Sequence, residues 1–313
     1  MTDTPSDAPG ESGRTVHADD GTRLRLHRAT PEAPSGEAVL FVHGATYPGR
    51  AVFDLPGASW LDACADGGRP AYALDVRGYG DSEAPPELDA PAGDNPPAVR
   101  GDVAVGDVAC ALDHVAARHD RVHLVGYSWG SILCGRLLAE RSPAVASLTQ
   151  LAPVHTFPEG RPDLGGGLDA YRVVSEERVR ERWDAHFGDA DPATHREPGV
   201  AGTFWEVLLE SGQGIDSDGT PSVRAPNGTL VDLREAAEEG PRYDAGRITT
   251  PTLVVRGSLD ATATRADALG LYDALGAAEK EYAELAGGSH FLTLERRREA
   301  LFDCVEAFHA RQD

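Results

Sequence analysis

Ser128 stands at the centre of Gly126-Tyr127-Ser128-Trp129-Gly130, with a glycine two residues to either side. A serine hydroxyl is a weak nucleophile until a neighbouring base takes its proton. The question is therefore whether the chain supplies a histidine and a carboxylate that could join it. Two residues qualify by their settings: Asp260 closes Gly257-Ser258-Leu259-Asp260, and His290 closes Gly287-Gly288-Ser289-His290. In such a trio His290 would act as general base, and Asp260 would hold the imidazole in the right tautomer and stabilise its cation. The chemistry would be two-step acyl transfer through an acyl-enzyme on Ser128. Asp81, Asp216 and Asp218 are rival carboxylates in name, but none follows a strand that precedes the histidine's strand.

Each candidate lies just past an apolar, β-rich run. Arg121–Val125 reads as a buried strand before the serine, and Ser131–Arg141 as a helix with Ile132, Leu133, Leu137 and Leu138 on one side. Pro251–Arg256 precedes Asp260, and Glu281–Leu285 precedes the histidine loop. Further strands are expected near 14–19, 22–28, 38–42, 70–75 and 146–151, with Asp19-Asp20-Gly21 turning between the first two. Helices are expected near 56–66, 98–118, 129–141, 264–275 and 293–311. Strands alternating with helices imply a mostly parallel sheet, here eight-stranded, covered on both faces.

The order serine, acid, histidine, with a serine pinned between strand and helix, resembles the α/β-hydrolase superfamily from about residue 14 to the C-terminus. Two upstream segments share in the resemblance. Ala38–Val42 ends in His43-Gly44, and Ala71–Leu74 runs into Asp75-Val76-Arg77-Gly78-Tyr79-Gly80-Asp81-Ser82. The resemblance implies an oxyanion hole made by the backbone amides of Trp129 and Ala45, with His43 ordering its loop rather than acting as a base. It also implies a helical cap over the site, placed here at 154–246, between core segments 14–153 and 247–313. In that cap Tyr171, Val174, Trp183 and Phe187 fall at near-helical spacing, Phe204–Leu209 form a second helix, and Gly165–Gly167 and Ser211–Gly228 serve as joints.

A serine at this position separates the chain from haloalkane dehalogenases and epoxide hydrolases of the same fold, whose aspartate forms an alkyl ester. Hydrolysis of a small carboxylic ester is the first expectation. A thioesterase or acyltransferase of secondary metabolism comes next. Trp129-Gly130-Ser131 is also similar to the elbow of proline iminopeptidases, but Tyr127 replaces their glycine, and the cap acids Glu206 and Glu210, at i and i+4 on one helix face, are ordinary exposed acids in so acidic a chain. Other members of the superfamily are small-molecule receptors or cofactor-independent lyases. The pocket is expected to draw on His43, Tyr47, His155, Tyr171, Trp183, Phe187, Phe204 and Trp205, suiting a moderately apolar acyl or alcohol group.

Composition bounds the rest. The chain has 313 residues and a formal net charge of −22, with Lys280 as its one lysine. Such acidity disfavours nucleic acid and anionic membranes. No apolar run approaches the roughly 18 residues that cross a bilayer. Met1–Gly13 is rich in Asp, Pro, Ser and Gly, lacks the basic and apolar regions of a signal peptide, and is expected to be a disordered tail of a cytoplasmic protein. Cys64, Cys110, Cys134 and Cys304 have no metal-binding spacing and read as free thiols. His114, His119 and His123 straddle a helix end and a strand, so they would not converge on a metal. No metal or organic cofactor is implied. The expected partners are a small-molecule acyl substrate and at most a second copy of the chain in a homodimer.

Overall fold

Eight strands make the central sheet, and the inner ones are short runs rich in β-branched or large apolar residues. In the computed structural model, which describes residues 13–157 and 168–312, they are β1 (Gly13–His17), β2 (Arg23–Ala29), β3 (Glu37–Val42), β6 (Ala71–Asp75), β7 (Arg121–Tyr127), β8 (Ser147–Leu151), β12 (Thr252–Gly257) and β13 (Lys280–Leu285). Their order across the sheet is β1-β2-β6-β3-β7-β8-β12-β13. Only β2 runs against its neighbours; every pair from β6 to β13 is parallel. Strands β3, β7 and β12 are almost wholly buried, as a sheet covered by helices on both faces demands. The chain therefore has the α/β-hydrolase fold expected from its sequence.

The covering helices are α1 (Gly49–Phe53), α2 (Trp60–Asp66), α3 (Gly101–Ala116), α4 (Trp129–Arg141), α8 (Arg265–Ala274) and α9 (Arg298–His309). Several differ from the sequence expectation for local reasons. Helix α2 begins at Trp60, not 56, because Pro56-Gly57 turn a two-residue ladder, β4 (Asp54–Leu55) with β5 (Ala58–Ser59), and Ser59 then caps the helix by accepting from the Asp62 amide. Helix α9 begins at Arg298, not 293. The stretch before it is held as a loop and a 3₁₀ turn by the Glu295 carboxylate, which accepts from the Ser289 amide at 2.9 Å. Residues 1–12 of the expected tail lie outside the described residues, and Gly13 already belongs to β1.

The segment between β8 and β12 is not purely helical. It holds α5 (Glu176–Asp184), α6 (Val200–Glu210) and α7 (Gly228–Glu239), but also a three-stranded antiparallel sheet of β9 (Tyr171–Val174), β10 (Gly214–Ser217) and β11 (Thr220–Pro226). Tyr171 and Val174 are thus strand residues, and the supposed Ser211–Gly228 joint is largely a hairpin. Its signal was Asp218-Gly219: both take positive φ (54° and 81°) in a two-residue turn between the paired Ser217 and Thr220. The expected Gly165–Gly167 joint lies outside the described residues.

Asp232 ties this segment to the core. Carried on α7, its carboxylate accepts from the Trp129 indole at 2.9 Å, the Gly101 amide at 2.7 Å and the Arg100 guanidinium at 2.8 Å. One buried acid thus links the first residues of α3 and α4 to the insertion. All four cysteines are free. No helix among the described residues is long and apolar enough to cross a membrane.

Two glycines in helices make opposite predictions. A Cβ at Gly130 would stand 2.3 Å from the Val42 carbonyl oxygen, whereas at Gly106 in α3 nothing lies within 4 Å. Gly130→Ala should cost at least about 2 kcal/mol by overpacking. Gly106→Ala should stabilise by about 0.5–1 kcal/mol. Urea unfolding of the two variants checks both signs.

Candidate active site

The sharp turn between β7 and α4 presents Ser128. Its backbone takes φ 54° and ψ −119°, an uncommon conformation for a residue with a side chain. Close packing enforces it. A Cβ on Gly126 would meet the Gly130 carbonyl oxygen at 2.6 Å, so neither residue of the turn's flanks has room for a side chain. The Ser128 amide donates to the Leu151 carbonyl of the neighbouring strand at 2.9 Å. Held this way, the hydroxyl projects away from the turn and toward the loops beyond β12 and β13.

Those loops bring the partners. His290 Nε2 lies 3.0 Å from Ser128 Oγ, and His290 Nδ1 lies 2.8 Å from Asp260 Oδ2. The second Asp260 oxygen accepts from the amides of Thr262 and Ala263, both at 2.8 Å. Burial alone would raise the Asp260 pKa, but the His290 charge and these hydrogen bonds outweigh it and hold the carboxyl below its ordinary value. The acid is therefore ionised and fixed, and Nδ1 of His290 is best placed to carry the proton while Nε2 faces the serine. Tyr127 adds a second anchor: its hydroxyl donates to the His290 carbonyl at 2.8 Å, and its ring lies 5.1 Å from the imidazole. Ser128, Asp260 and His290 are only 5%, 3% and 3% exposed.

Two stretches of backbone flank the serine. Trp129 is the first residue of α4, and the first amides of a helix have no acceptor within it. From the other side, Gly44 packs directly on the serine: a Cβ there would fall 2.8 Å from Ser128 Cβ. This brings the Gly44-Ala45 backbone beside the hydroxyl. His43 orders that loop, with Nδ1 2.7 Å from the Gly44 carbonyl oxygen and Nε2 accepting from the Val76 amide at 3.1 Å. Burial keeps its pKa below the ordinary histidine value, as an Nε2 that accepts requires.

Of the other expected pocket residues, three gather here. The Tyr47 ring packs 5.0 Å from Phe204 and 5.8 Å from Phe291, the residue after the histidine, and Trp183 stacks on Phe291 at 4.7 Å. The rest do not join them. His155 packs on Tyr243 at 5.5 Å, its amide and those of Thr156 and Phe157 bound by Asp267. Tyr171 sits in β9 under the Arg224 guanidinium, and Phe187 stacks on His195 at 4.4 Å. Trp205 is buried in the core on the next position of α6. Glu206 and Glu210 are exposed, and Glu210 lies 3.8 Å from Arg50.

Sequence reasoning passed over two residues of α5 and its 3₁₀ extension. Arg182 lies over the Tyr47 ring at 6.0 Å. His186 lies nearly parallel to the His290 ring at 6.1 Å, and its Nδ1 accepts from the Ala261 amide at 3.1 Å. Their only sequence signal was spacing: Arg182 and His186 are four apart, astride Trp183. Among the described residues, His27, Asp75 and Asp81 could approach a cation, but the Asp75 oxygens already accept from Gly49, His27 and Asp81. A surface cleft of about 420 Å³ lined by Arg180, Arg196, Glu197 and neighbours contains none of the trio.

Comparison with known proteins agrees with this fold. A family model described as "Alpha/beta hydrolase family" matches residues 39–303. Epoxide hydrolase 2 of Siraitia grosvenorii is 32% identical over 170 residues, 51% of this chain and 47% of that protein. Epoxide hydrolase 1 of the same organism is 32% identical over 184 residues, 55% of this chain and 50% of its own. The chain thus spans about half the length of the curated relatives it matches. Among solved structures, an esterase from Exiguobacterium antarcticum superposes with a TM-score of 0.62 at 15% identity, covering 95% of this chain and 99% of that one. A meta-cleavage product hydrolase from Pseudomonas fluorescens IP01 gives 0.59 at 17% identity, covering 96% and 98%. At such identities these structures speak to the fold alone.

His186 yields a pH prediction. Burial foremost, and the neighbouring His290 next, lower its pKa to about 4. The unfolded state therefore binds a proton that the folded state refuses, so stability is full above about 6.5 and declines as pH falls toward 4. His186→Gln should flatten that decline relative to wild type. Parallel stability curves between pH 4 and 7 would count against a neutral His186 beside the triad.

Proposed function

This chain belongs to the alpha/beta hydrolase family, and from that premise we propose that it is a hydrolytic enzyme that cleaves a small carboxylic ester or related acyl bond through an acyl-enzyme on Ser128. The observation that carries the proposal is the continuous hydrogen-bonded line from Ser128 Oγ through His290 to Asp260, at 3.0 and 2.8 Å. His290 removes the serine proton during attack and returns it to the leaving group, while the Asp260 carboxylate stabilises the imidazolium. The amides of Trp129 and Ala45 stabilise the oxyanion, each worth about 3–4 kcal/mol in the transition state. Water then attacks the acyl-enzyme, with His290 again as base. The substrate is a small-molecule acyl compound, and the reaction uses the chain's own residues in every step.

The epoxide hydrolases among its relatives favour a different substrate for themselves, but the nucleophile here argues against that chemistry. Opening an epoxide with a serine hydroxyl gives an ether, which the same machinery cannot hydrolyse. An acyl ester on serine is hydrolysed by the mirror of its own formation. Glu206 and Glu210 are exposed on α6, which does not favour their holding a free amino terminus. A thioester is attacked by the same steps and is the second reading.

Ser128→Ala and His290→Ala should each remove nearly all turnover of p-nitrophenyl esters, and the double variant should lose little more, since the two act as a unit. A fluorophosphonate should label wild type at Ser128 alone, read by intact mass and peptide mapping. Label on another residue, or most activity surviving either substitution, would sink the assignment.

A further inference from the structure

Two arginines of the insertion reach toward the loop that follows β3, and neither meets a carboxylate among the described residues. Arg172, on β9, spends its guanidinium on neutral acceptors: the Thr46 hydroxyl, the Pro226 carbonyl at 3.1 Å and the Asn227 side-chain oxygen at 3.0 Å. Burial foremost, with the like charge of Arg182 adding to it, holds its pKa below the usual arginine value. Arg182, on α5, is half-buried over the Tyr47 ring at 6.0 Å. Its neighbours on the same helix behave otherwise, for Arg178 holds Glu181 at 3.3 Å and Arg180 holds Glu176 at 2.6 Å. In a chain of net charge −22, where carboxylates are abundant, two neighbouring cations without one among the described residues stand apart from the other arginines of the insertion.

The buried acids nearby are occupied elsewhere. Asp260 is bound by His290 and two amides. Glu295 accepts from the Trp183 indole at 2.9 Å and from Ser289, and Asp232 accepts from Trp129, Gly101 and Arg100. Meanwhile Arg182 is placed by its neighbours on the reacting side of the insertion. Trp183 stacks on Phe291, His186 lies along His290, and Tyr47 is three residues beyond Gly44, which touches Ser128.

We propose that Arg182, backed by Arg172, binds a carboxylate carried on the acyl substrate, so that the site acts on acyl compounds with an anionic group remote from the scissile carbonyl. This rests on the serine-hydrolase reading above and adds a substrate class to it. A guanidinium presents a planar fork that matches a carboxylate, and a partly buried one without a counter-ion gains most from meeting it. Arg182 binds through the non-reacting end, so its effect falls on ligand binding and on anion preference.

The test uses the full chain and a ligand pair that cannot be hydrolysed. Levulinate and 2,5-hexanedione share a methyl ketone, but only the first carries a carboxylate. Each is titrated as a protectant against fluorophosphonate labelling of Ser128. In wild type, levulinate should protect at a concentration about tenfold lower than the diketone, the size of one charge-assisted hydrogen bond. Raising the salt concentration should shrink that ratio. Arg182→Gln should bring the ratio to about one, Arg182→Lys should retain most of it, and Arg178→Gln, on the solvent side, should leave it unchanged. A purely structural Arg182 would instead weaken both ligands together and keep the ratio. A wild-type ratio near one, or a ratio preserved in Arg182→Gln, overturns this inference alone; the wild-type ratio decides even should the glutamine variant fail to fold. A folded wild type that never labels at Ser128 overturns the hydrolase reading and this inference with it.

Discussion

The left-handed backbone of Ser128 is the constraint on which the rest of the site depends. Such a conformation costs on the order of 1–3 kcal/mol and persists only where its surroundings leave no alternative. Here three close approaches supply that insistence. Gly126 packs on the Gly130 carbonyl, Gly130 packs on the Val42 carbonyl, and Gly44 packs on Ser128 itself. The first tightens the β7–α4 turn and the other two join it to the end of β3, so the register of the two central strands fixes the nucleophile. The parallel pairing of Val42 with Gly126 sets that register. Core packing and site geometry are thus one problem, solved by omitting side chains.

Around this turn the molecule distributes its buried polar groups with little redundancy. Asp260 serves His290 with one oxygen and its own loop's amides with the other. Glu295 closes the loop on the far side of His290, and Asp232 binds the indole of the residue following the nucleophile. Tyr127 reaches across to the His290 carbonyl from within the elbow. That contact accounts for a tyrosine where the similar elbow of proline iminopeptidases has glycine: the position is used to brace the histidine loop. Each of these groups is satisfied, as buried polar atoms must be.

The insertion contributes a different kind of interaction. Its aromatic residues Trp183 and Phe204 pack on Phe291 and Tyr47, sealing the triad so thoroughly that the three side chains are nearly inaccessible. Its arginines then place positive charge against that seal. Packing gives the site its walls, and a guanidinium without a carboxylate partner among the described residues gives those walls a positive charge in an otherwise acidic chain.

Much of this was legible in the residues alone. Alternating apolar runs gave the eight strands, because a parallel sheet buried on both faces needs continuous hydrophobic segments. Glycines at 126 and 130 marked the turn, because close backbone approach leaves that residue no substitute. The order of Ser128, Asp260 and His290 followed, since each ends a strand in the same sheet and strand ends converge. What the sequence could not decide were contacts between segments with no common period. The β9–β11 sheet was read as helix and linker, because β9 and β10 have four residues each, too few for a periodic signal, and the pairing of β9 with β11 is long-range. Tyr171, His155 and Phe187 were placed with the pocket on residue type, yet aromatic side chains pack wherever a neighbour fits, and only the tertiary structure says which neighbour that is. For the same reason Arg182 and His186 stayed hidden. A basic residue type four positions from another is ordinary in sequence, and acquires meaning only when the fold sets one over a tyrosine and the other beside the triad histidine.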